Sequence, residues 1–322
     1  MLGLPITVFG DVMLDVYSHC TPVRVSSEAP VLIVRQESET LAPGGAGNVA
    51  ANILVGFGMD VELVGVISGD NIGCKLIECL NEYPIGHKFM VEAGYWKTIE
   101  KRRFVDTLGR QMLRVDIEGS LTQHAKLSIP TTMNLRVSLA ELATRSSTLV
   151  VSDYNKGTCT PELIHYAISE FGRRDRYVVV NGKPENFLYY KGADIIIFNL
   201  SEAEAVAQTY IGGWNGTDLI SLPGMLREHL SRYGKAPDVL VTLGDRGMNY
   251  WGKDGPYHVD APEVKVADVA GAGDTITATI AAMGRCDQRV MEVAAKLAAD
   301  VVSQHGTSLC QYKLTMAEVD ML

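Results

Sequence analysis

Apolar, β-branched runs alternate along this chain with stretches of helical periodicity. The runs Ile6–Phe9, Val61–Ile67, Leu149–Ser152, Tyr177–Val180, Ile195–Phe198 and Val239–Leu243 predict strands. Helical patterns occupy Ala46–Val55, Pro161–Phe171, Ser201–Gln208, Leu222–Tyr233, Ala272–Met283 and Val290–Gln304. Pro161 directly after Thr160 is a cap-and-start signal. This alternation predicts an α/β fold: a doubly wound, mostly parallel sheet with helices on both faces. Ligands then belong at the carboxyl ends of the strands. Two regions break the rhythm. Val31–Glu37 is strand-like, and so are Lys97–Asp106 and Gln111–Ile117, joined by a hairpin turn at Thr107–Arg110. They predict a small β-sheet lid, from about residues 16–40 and 88–118, inserted into one domain spanning residues 1–322.

Composition narrows the function. The 322 residues are 47% apolar and 21% charged, which excludes a disordered, collagenous or coiled-coil chain. Lys and Arg number 29 against 38 Asp and Glu, a net charge of −9. Such a chain is a poor nonspecific binder of nucleic acid or anionic lipid, although a local basic cluster still suits a small phosphorylated ligand. No apolar stretch is long enough to span a bilayer, and Asp11 and Asp15 interrupt the apolar N-terminus, which lacks a basic start. Neither a signal peptide nor a membrane anchor is expected. The six cysteines form no C-x-x-C pair and show no zinc spacing, so reduced thiols in the cytoplasm are expected.

Three segments carry candidate chemistry. Gly271-Ala272-Gly273-Asp274 opens the apolar helix Ile276–Met283. Small residues and free N–H groups at a helix start make an anion site. Asp274 there is either a helix cap or a general base beside a bound phosphate. Gly44-Gly45-Ala46-Gly47-Asn48 opens another helix, serving either tight helix–sheet packing or presentation of N–H groups and the Asn48 amide to a polyol. Gly45-x-Gly47-x-x-Ala50 also fits a dinucleotide fingerprint, but it does not follow the first core strand directly. Asp11 and Asp15 stand just past that first strand, as loop caps or as acceptors for sugar hydroxyls.

The three segments, in this order, resemble those of the ribokinase-like (PfkB) carbohydrate kinases, and the resemblance covers almost the whole chain. It includes Val64-Gly65-Val66-Ile67-Ser68-Gly69-Asp70, Asn199-Leu200-Ser201-Glu202 and Thr242-Leu243-Gly244-Asp245-Arg246-Gly247. Within the family the heptose-7-phosphate kinases look most similar. Their flavour is in Gly10–Asp15, Ser27–Val31, Ser152-Asp153-Tyr154-Asn155-Lys156-Gly157, Gln111–Asp116 and His305-Gly306-Thr307-Ser308. Bifunctional relatives carry a nucleotidyltransferase domain. The chain ends soon after Thr307 and has no H-x-G-H motif, so a kinase-only form is expected.

The resemblance implies roles. Asp274 is the expected base, with Gly271, Ala272 and Gly273 offering N–H groups to the transferring phosphoryl. Glu202, with Asn199, is expected to organise Mg²⁺ through water around the phosphates of ATP, and Lys183 to neutralise phosphate charge. Thr242, Gly244 and Gly247 belong to the nucleotide side. Asp11, Asp15, Gly44, Gly45 and Asn48 are expected to hold the sugar. Positive charge gathers at Lys97, Lys101, Arg102, Arg103, Arg110 and Arg114, with Arg24 and Lys156 apart. Strand alternation sets Lys101 and Arg103 on one face and Arg102 on the other. Arg103 and Lys156 are the leading candidates for a sugar phosphate. The alternative for any one of them is solvated charge on an exposed hairpin.

Five positions depart from the family pattern. Asn181-Gly182-Lys183 stands for D-P-K, Ala270 for Thr, Gly69 for Asp, and Ala295 for an Asn near the adenine. His305 is a further candidate near the adenine. The implied protein is a cytoplasmic, ATP- and Mg²⁺-dependent sugar kinase that binds neither nucleic acid nor membrane and pairs as a homodimer through its lids. Its implied acceptor is the anomeric hydroxyl of D-glycero-D-manno-heptose 7-phosphate. The alternatives are a kinase of a pentose, hexose or nucleoside, a nucleotide- or sugar-sensing protein with weak catalysis, and, more remotely, a dinucleotide-dependent oxidoreductase.

Overall fold

The structure, a computed structural model, describes residues 3–119, 127–212, 214–253, 255–304 and 306. Strand β1 (Ile6–Gly10) passes through Asp11 straight into a long hairpin, β2 (Val12–Val25) and β3 (Leu32–Gly45). The chain returns through α1 (Ala46–Phe57), β4 (Val61–Val64), the short β5 (Val66–Ile67), α2 (Asn71–Glu82) and β6 (Val91–Glu92). A second excursion builds β7 (Ile99–Val105) and β8 (Gln111–Ile117). There follow α3 (Ile129–Arg145), β9 (Thr148–Ser152), α4 (Pro161–Gly172), β10 (Tyr177–Asn181), β11 (Ile195–Asn199) and α5 (Leu200–Val206). Then come α6 (Leu222–Ser231), β12 (Asp238–Thr242), the hairpin β13 (Met248–Gly252) and β14 (Gly255–Val259), α7 (Ala272–Met283) and α8 (Gln288–Val302).

The main sheet has the order β14-β13-β12-β11-β10-β9-β1-β4. From β12 to β4 every pairing is parallel, and β13 and β14 extend the edge antiparallel. Successive side chains enter opposite layers. Leu149 and Val151 pack with residues of α3, α4 and α6, whereas Val150 packs with α1, α7 and α8. Burial on both faces explains why these strands read as apolar runs, each fully buried aliphatic contributing about 1.5–3 kcal/mol. The two neighbours of β1 are β4 and β9, so the winding reverses between β1 and β9. A crevice at the carboxyl ends of such strands is the ligand position of this architecture.

A four-stranded lid, ordered β3-β2-β7-β8, stands off that end. It contains one more strand than the pattern predicts. The segment carrying Asp15 is not a loop but the start of β2, whose inner half is buried. The predicted run Val61–Ile67 is also two strands. β1 pairs with β4 only as far as Phe9↔Val64, then turns toward the lid, so Val66–Ile67 pairs with β6 instead. Helices α2 and α3 and the β13–β14 hairpin were not predicted. Local signals for both helices are nevertheless present: Asp70 accepts from the Gly73 N–H at 2.8 Å, and Ser128 from Thr131 at 3.3 Å. The helix predicted over Ser201–Gln208 runs out through a π turn at Ala207–Ile211. His305, Cys310 and the Thr307-Ser308 pair lie outside the described residues. Among the described residues, no helix is long and apolar enough to cross a membrane.

Gly247 locks the turn between β12 and β13. Its φ is +78°, and a Cβ would fall 1.9 Å from the Val259 carbonyl oxygen. Gly247→Ala is expected to lower stability by about 2 kcal/mol or more, read as a shift of the urea midpoint at unchanged m-value. An unmoved midpoint would show that this turn is not under the constraint described.

Candidate active site

The sequence-predicted residues fall along one line, the carboxyl ends of β1, β9, β10, β11 and β12, capped by the start of α7 and by the lid. Asp11 follows β1 at the point where the winding reverses. It has no exposed surface. Its carboxylate accepts from the backbone N–H groups of Tyr154 at 2.9 Å, Lys156 at 3.1 Å and Thr158 at 2.9 Å. Asp11 therefore lies beneath the loop after β9, and its acceptors are occupied by that loop rather than open to a sugar. Its neighbour Asp153 is saturated in the same way, by Asn155 N–H, the Asn186 amide and the Tyr190 hydroxyl. Burial, and then the charge of Asp11, hold the Asp153 carboxyl above the usual range.

Asp274 sits in the first turn of α7, whose N-terminus has no side-chain cap. Its carboxylate turns away from its own helix. Oδ1 accepts from the Tyr154 hydroxyl at 2.6 Å, and Oδ2 from the Asn48 amide at 2.7 Å. Asn52, one helical turn beyond Asn48, donates to the Asn48 carbonyl and side-chain oxygens, and the Thr275 hydroxyl donates to Asn52. The buried amides of α1 thus orient Asn48 toward the carboxylate. Burial pushes Asp274 up to about 6, against the lowering effect of the Tyr154 and Asn48 hydrogen bonds. Asp15 raises it further and Lys101 lowers it. Beside it, the uncapped N–H groups around Ala272 and Gly273 form the positive end of the helix dipole.

Asp15 is buried in β2 and bonds Arg103 of β7 at 2.8 Å. Arg103 also lies against the Tyr17 ring, 5.2 Å from its centroid. Gly44 passes so close that a Cβ would approach Asp15 Oδ2 to 2.8 Å, and Gly45, at φ +58°, passes the Asp11 carbonyl. The glycine pair thus lets β3 pass close to the Asp15 carboxylate and the Asp11 main-chain carbonyl. Lys101 shares the Arg103 face, and burial lowers its pKa. Arg102 faces the other way and bonds Glu39, Glu100 and Ser18. Arg110 pairs with Asp106 and Arg114 with Asp116, both exposed, and Lys97 and Arg24 are exposed as well. Lys156 pairs with Glu118 at 2.8 Å.

On the other side, Asn199 and Glu202 form a reciprocal capping box at the start of α5. Glu202 also pairs with Lys183, which follows β10. The N-x-x-E spacing is thus explained locally and still leaves a carboxylate and an ammonium at the strand ends. Thr242 ends β12, and Gly244 is exposed in the turn after it. Gly247 packs against β14 and has a structural place. Sequence reasoning did not single out Tyr154, Asn52 or Thr275. The four-residue spacing of Asn48 and Asn52 on one helix face was the available signal, whereas Tyr154 had none beyond its motif.

A carboxylate and a helix N-terminus facing one crevice beneath a β lid suit the transfer of phosphoryl groups to small hydroxyl compounds. The chain belongs to the pfkB family carbohydrate kinases, which match residues 5–314. It is 37% identical over 314 residues to the bifunctional protein HldE of Gluconobacter oxydans, covering 94% of this chain and 62% of that protein. It is 36% identical over 280 residues to that of Pseudomonas aeruginosa, covering 86% and 55%. The chain therefore spans about three-fifths of the length of these relatives. In fold it is similar to Escherichia coli phosphofructokinase-2 in complex with substrates and products, with a TM-score of 0.76, 18% identity, and 99% and 97% of the chains covered. It is similar also to Arabidopsis thaliana ribokinase complexed with ribose and ATP, with a TM-score of 0.68, 16% identity, and 99% and 98% covered. Kinases of this fold use ATP, typically with Mg²⁺.

Asp11→Ala would leave the loop's N–H groups buried without acceptors. A loss of at least about 3 kcal/mol is expected in urea unfolding. A midpoint equal to that of the parent would mean that those groups find other partners.

Proposed function

We propose that the protein phosphorylates the anomeric hydroxyl of D-glycero-D-manno-heptose 7-phosphate with ATP, giving the 1,7-bisphosphate in the cytoplasm. The observation that carries the phosphotransfer reading is the Asp274 carboxylate, buried, twice hydrogen-bonded and beside an uncapped helix N-terminus. With its pKa pushed up to about 6, it is a stronger base than an ordinary carboxylate and is still mostly ionised at neutral pH. The acceptor oxygen forms its bond to the γ-phosphorus as the bond to the ADP oxygen breaks. ADP leaves with that electron pair, and Asp274 takes the hydroxyl proton. The N–H groups of Gly271, Ala272 and Gly273 meet the charge on the phosphoryl oxygens.

The donor set fits a nucleoside triphosphate with Mg²⁺. Lys183, paired with Glu202, would meet phosphate charge, Glu202 with Asn199 would hold the metal, and Thr242 and Gly244 would line the nucleotide side. The metal, when bound, offsets phosphate charge and orients the transferring group. Asp15, with Gly44 packed against it, is the sugar end.

The heptose 7-phosphate reading rests on the motifs resembling that branch, on the similarity to the HldE proteins and on the cationic inner face of the lid. A sugar phosphate brings close to two negative charges into a −9 chain. Arg103 and Lys101 are the compensating cations nearest Asp15, with Lys156 at the lid's root. The lid also bears the exposed apolar residues Val25, Leu32, Leu113 and Val115, and both its edge strands are open, which supports a homodimer through the lids.

Three measurements test this. A coupled ADP-release assay across sugars and sugar phosphates should rank the heptose 7-phosphate first, and Asp274→Asn should lower kcat by about 10²–10⁴ with ATP binding retained. A free sugar, pentose or nucleoside as best acceptor would overturn the substrate, and a fully active Asp274→Asn the mechanism. Lys101→Ala and Arg103→Ala should raise KM for the phosphorylated acceptor about ten- to a hundredfold, and that of the unphosphorylated analogue much less. Equal effects on both acceptors would remove the phosphate from this face. In sedimentation the protein should run as a dimer and Leu113→Asp as a monomer. A parent monomer at micromolar concentration with full activity would end the lid-dimer reading.

A further inference from the structure

We infer that Tyr154 is a positioning residue for Asp274 that ties the base to both the lid and the nucleotide side of the crevice. The inference rests on the reading of Asp274 as base. Its geometric support is independent of any substrate. The Tyr154 hydroxyl donates to Asp274 Oδ1 at 2.6 Å while Asn48 holds Oδ2, so the carboxylate is gripped from two separate elements, the loop after β9 and helix α1. The loop itself is fixed. The Tyr154 N–H is bonded to Asp11, and the next residue, Asn155, adopts a left-handed φ of 53° with its N–H bonded to Asp153. The two buried carboxylates that the reaction does not use thereby aim the phenol.

The ring has a second set of contacts. The Lys101 ammonium of β7 stands 5.1 Å from the Tyr154 ring centroid, and that of Lys183 5.5 Å. One belongs to the lid, the other pairs with Glu202 on the nucleotide side. One aromatic ring thus has a lid cation and a nucleotide-side cation near its centroid while its hydroxyl bonds the base. The groups facing this pair are Asn48 of α1, Asp15 of β2, Lys101 of β7, Lys183 after β10 and Glu202 of α5. Burial, followed by the charge of Asp274, holds the phenol itself well above its usual pKa, so it stays a donor at working pH. Removing that donor takes away a bond that favours the ionised carboxylate, which moves the titration of Asp274 upward.

Tyr154→Phe tests this, because it keeps the ring and both ammonium contacts and deletes only the hydroxyl. With the best acceptor of the panel, the acid limb of kcat/KM should lie about one pH unit above that of the parent, with KM for ATP little changed. ATP and the acceptor titrate identically in both proteins, so the difference reports the enzyme. A second readout needs no activity: unfolding stability against pH, for the parent and for Tyr154→Phe, each compared with the same protein carrying Asp274→Asn. A carboxylate whose folded pKa is raised binds its proton more tightly when folded. Its contribution therefore falls as pH rises from the unfolded value through about 6 in the parent. In the Phe variant the fall should extend about one unit higher. Tyr154→Phe with an unmoved limb and an unmoved stability difference overturns the inference. An active Asp274→Asn overturns the base reading instead, while the stability difference still decides whether Tyr154 tunes that carboxylate.

Discussion

The Asp11 carboxylate is buried at the point where the sheet reverses its winding, and a buried carboxylate requires donors. It finds them in the backbone of the loop after β9. That loop carries Tyr154 to Asp274 and Lys156 to Glu118. On the other side of Asp11, its carbonyl accepts the Ala46 N–H at the start of α1, the helix that presents Asn48. The neighbour of β1 in the sheet, its lid strand, the glycine loop and the base are therefore all referenced to one residue without solvent exposure.

Charge is distributed according to the same logic. The chain is acidic overall, yet its crevice pairs each buried acid with a cation or with several hydrogen-bond donors. Asp15 has Arg103, Glu202 has Lys183, and Asp11 and Asp153 have N–H and hydroxyl donors. Asp274, like Asp153, has only neutral donors, and in both burial outweighs them. The partners of Asp274 are a neutral amide and a phenol, which cannot fully offset its burial. An incompletely compensated carboxylate is the kind of group whose pKa rises toward neutrality, where a general base is most useful.

The lid contributes cations at fixed positions through strand periodicity. Lys101 and Arg103 share the face of Asp15 because β2 and β7 pair in parallel with Asp15 opposite Lys101 and Tyr17 opposite Arg103. A slip of one residue would exchange them for Glu100 and Arg102, whose side chains now serve the opposite face with Glu39 and Ser18. Register, rather than the number of basic residues in the hairpin, decides which charges face the crevice.

The core strands were legible from the sequence because burial on both faces leaves continuous apolar runs, and the helix starts at Pro161 and Ala272 because small and capping residues act locally. The motif order identified the family for the same reason: each motif is a short segment with its own local chemistry. The alternation within Lys97–Asp106 even separated Arg103 from Arg102. Local signals could not assign partners between segments distant in the chain. Asp11 and Asp15 looked alike four residues apart, yet one lies under a loop 143 residues away and the other faces a lid arginine. Asn48 read as a ligand for a polyol, but its amide is turned to Asp274, 226 residues on. Tyr154 carried no signal of its own, because an aromatic side chain reads as packing until the fold brings its hydroxyl to a carboxylate 120 residues away. Hydrogen-bond partners at such separations are set by the winding of the sheet and the register of the lid. No window of sequence contains either.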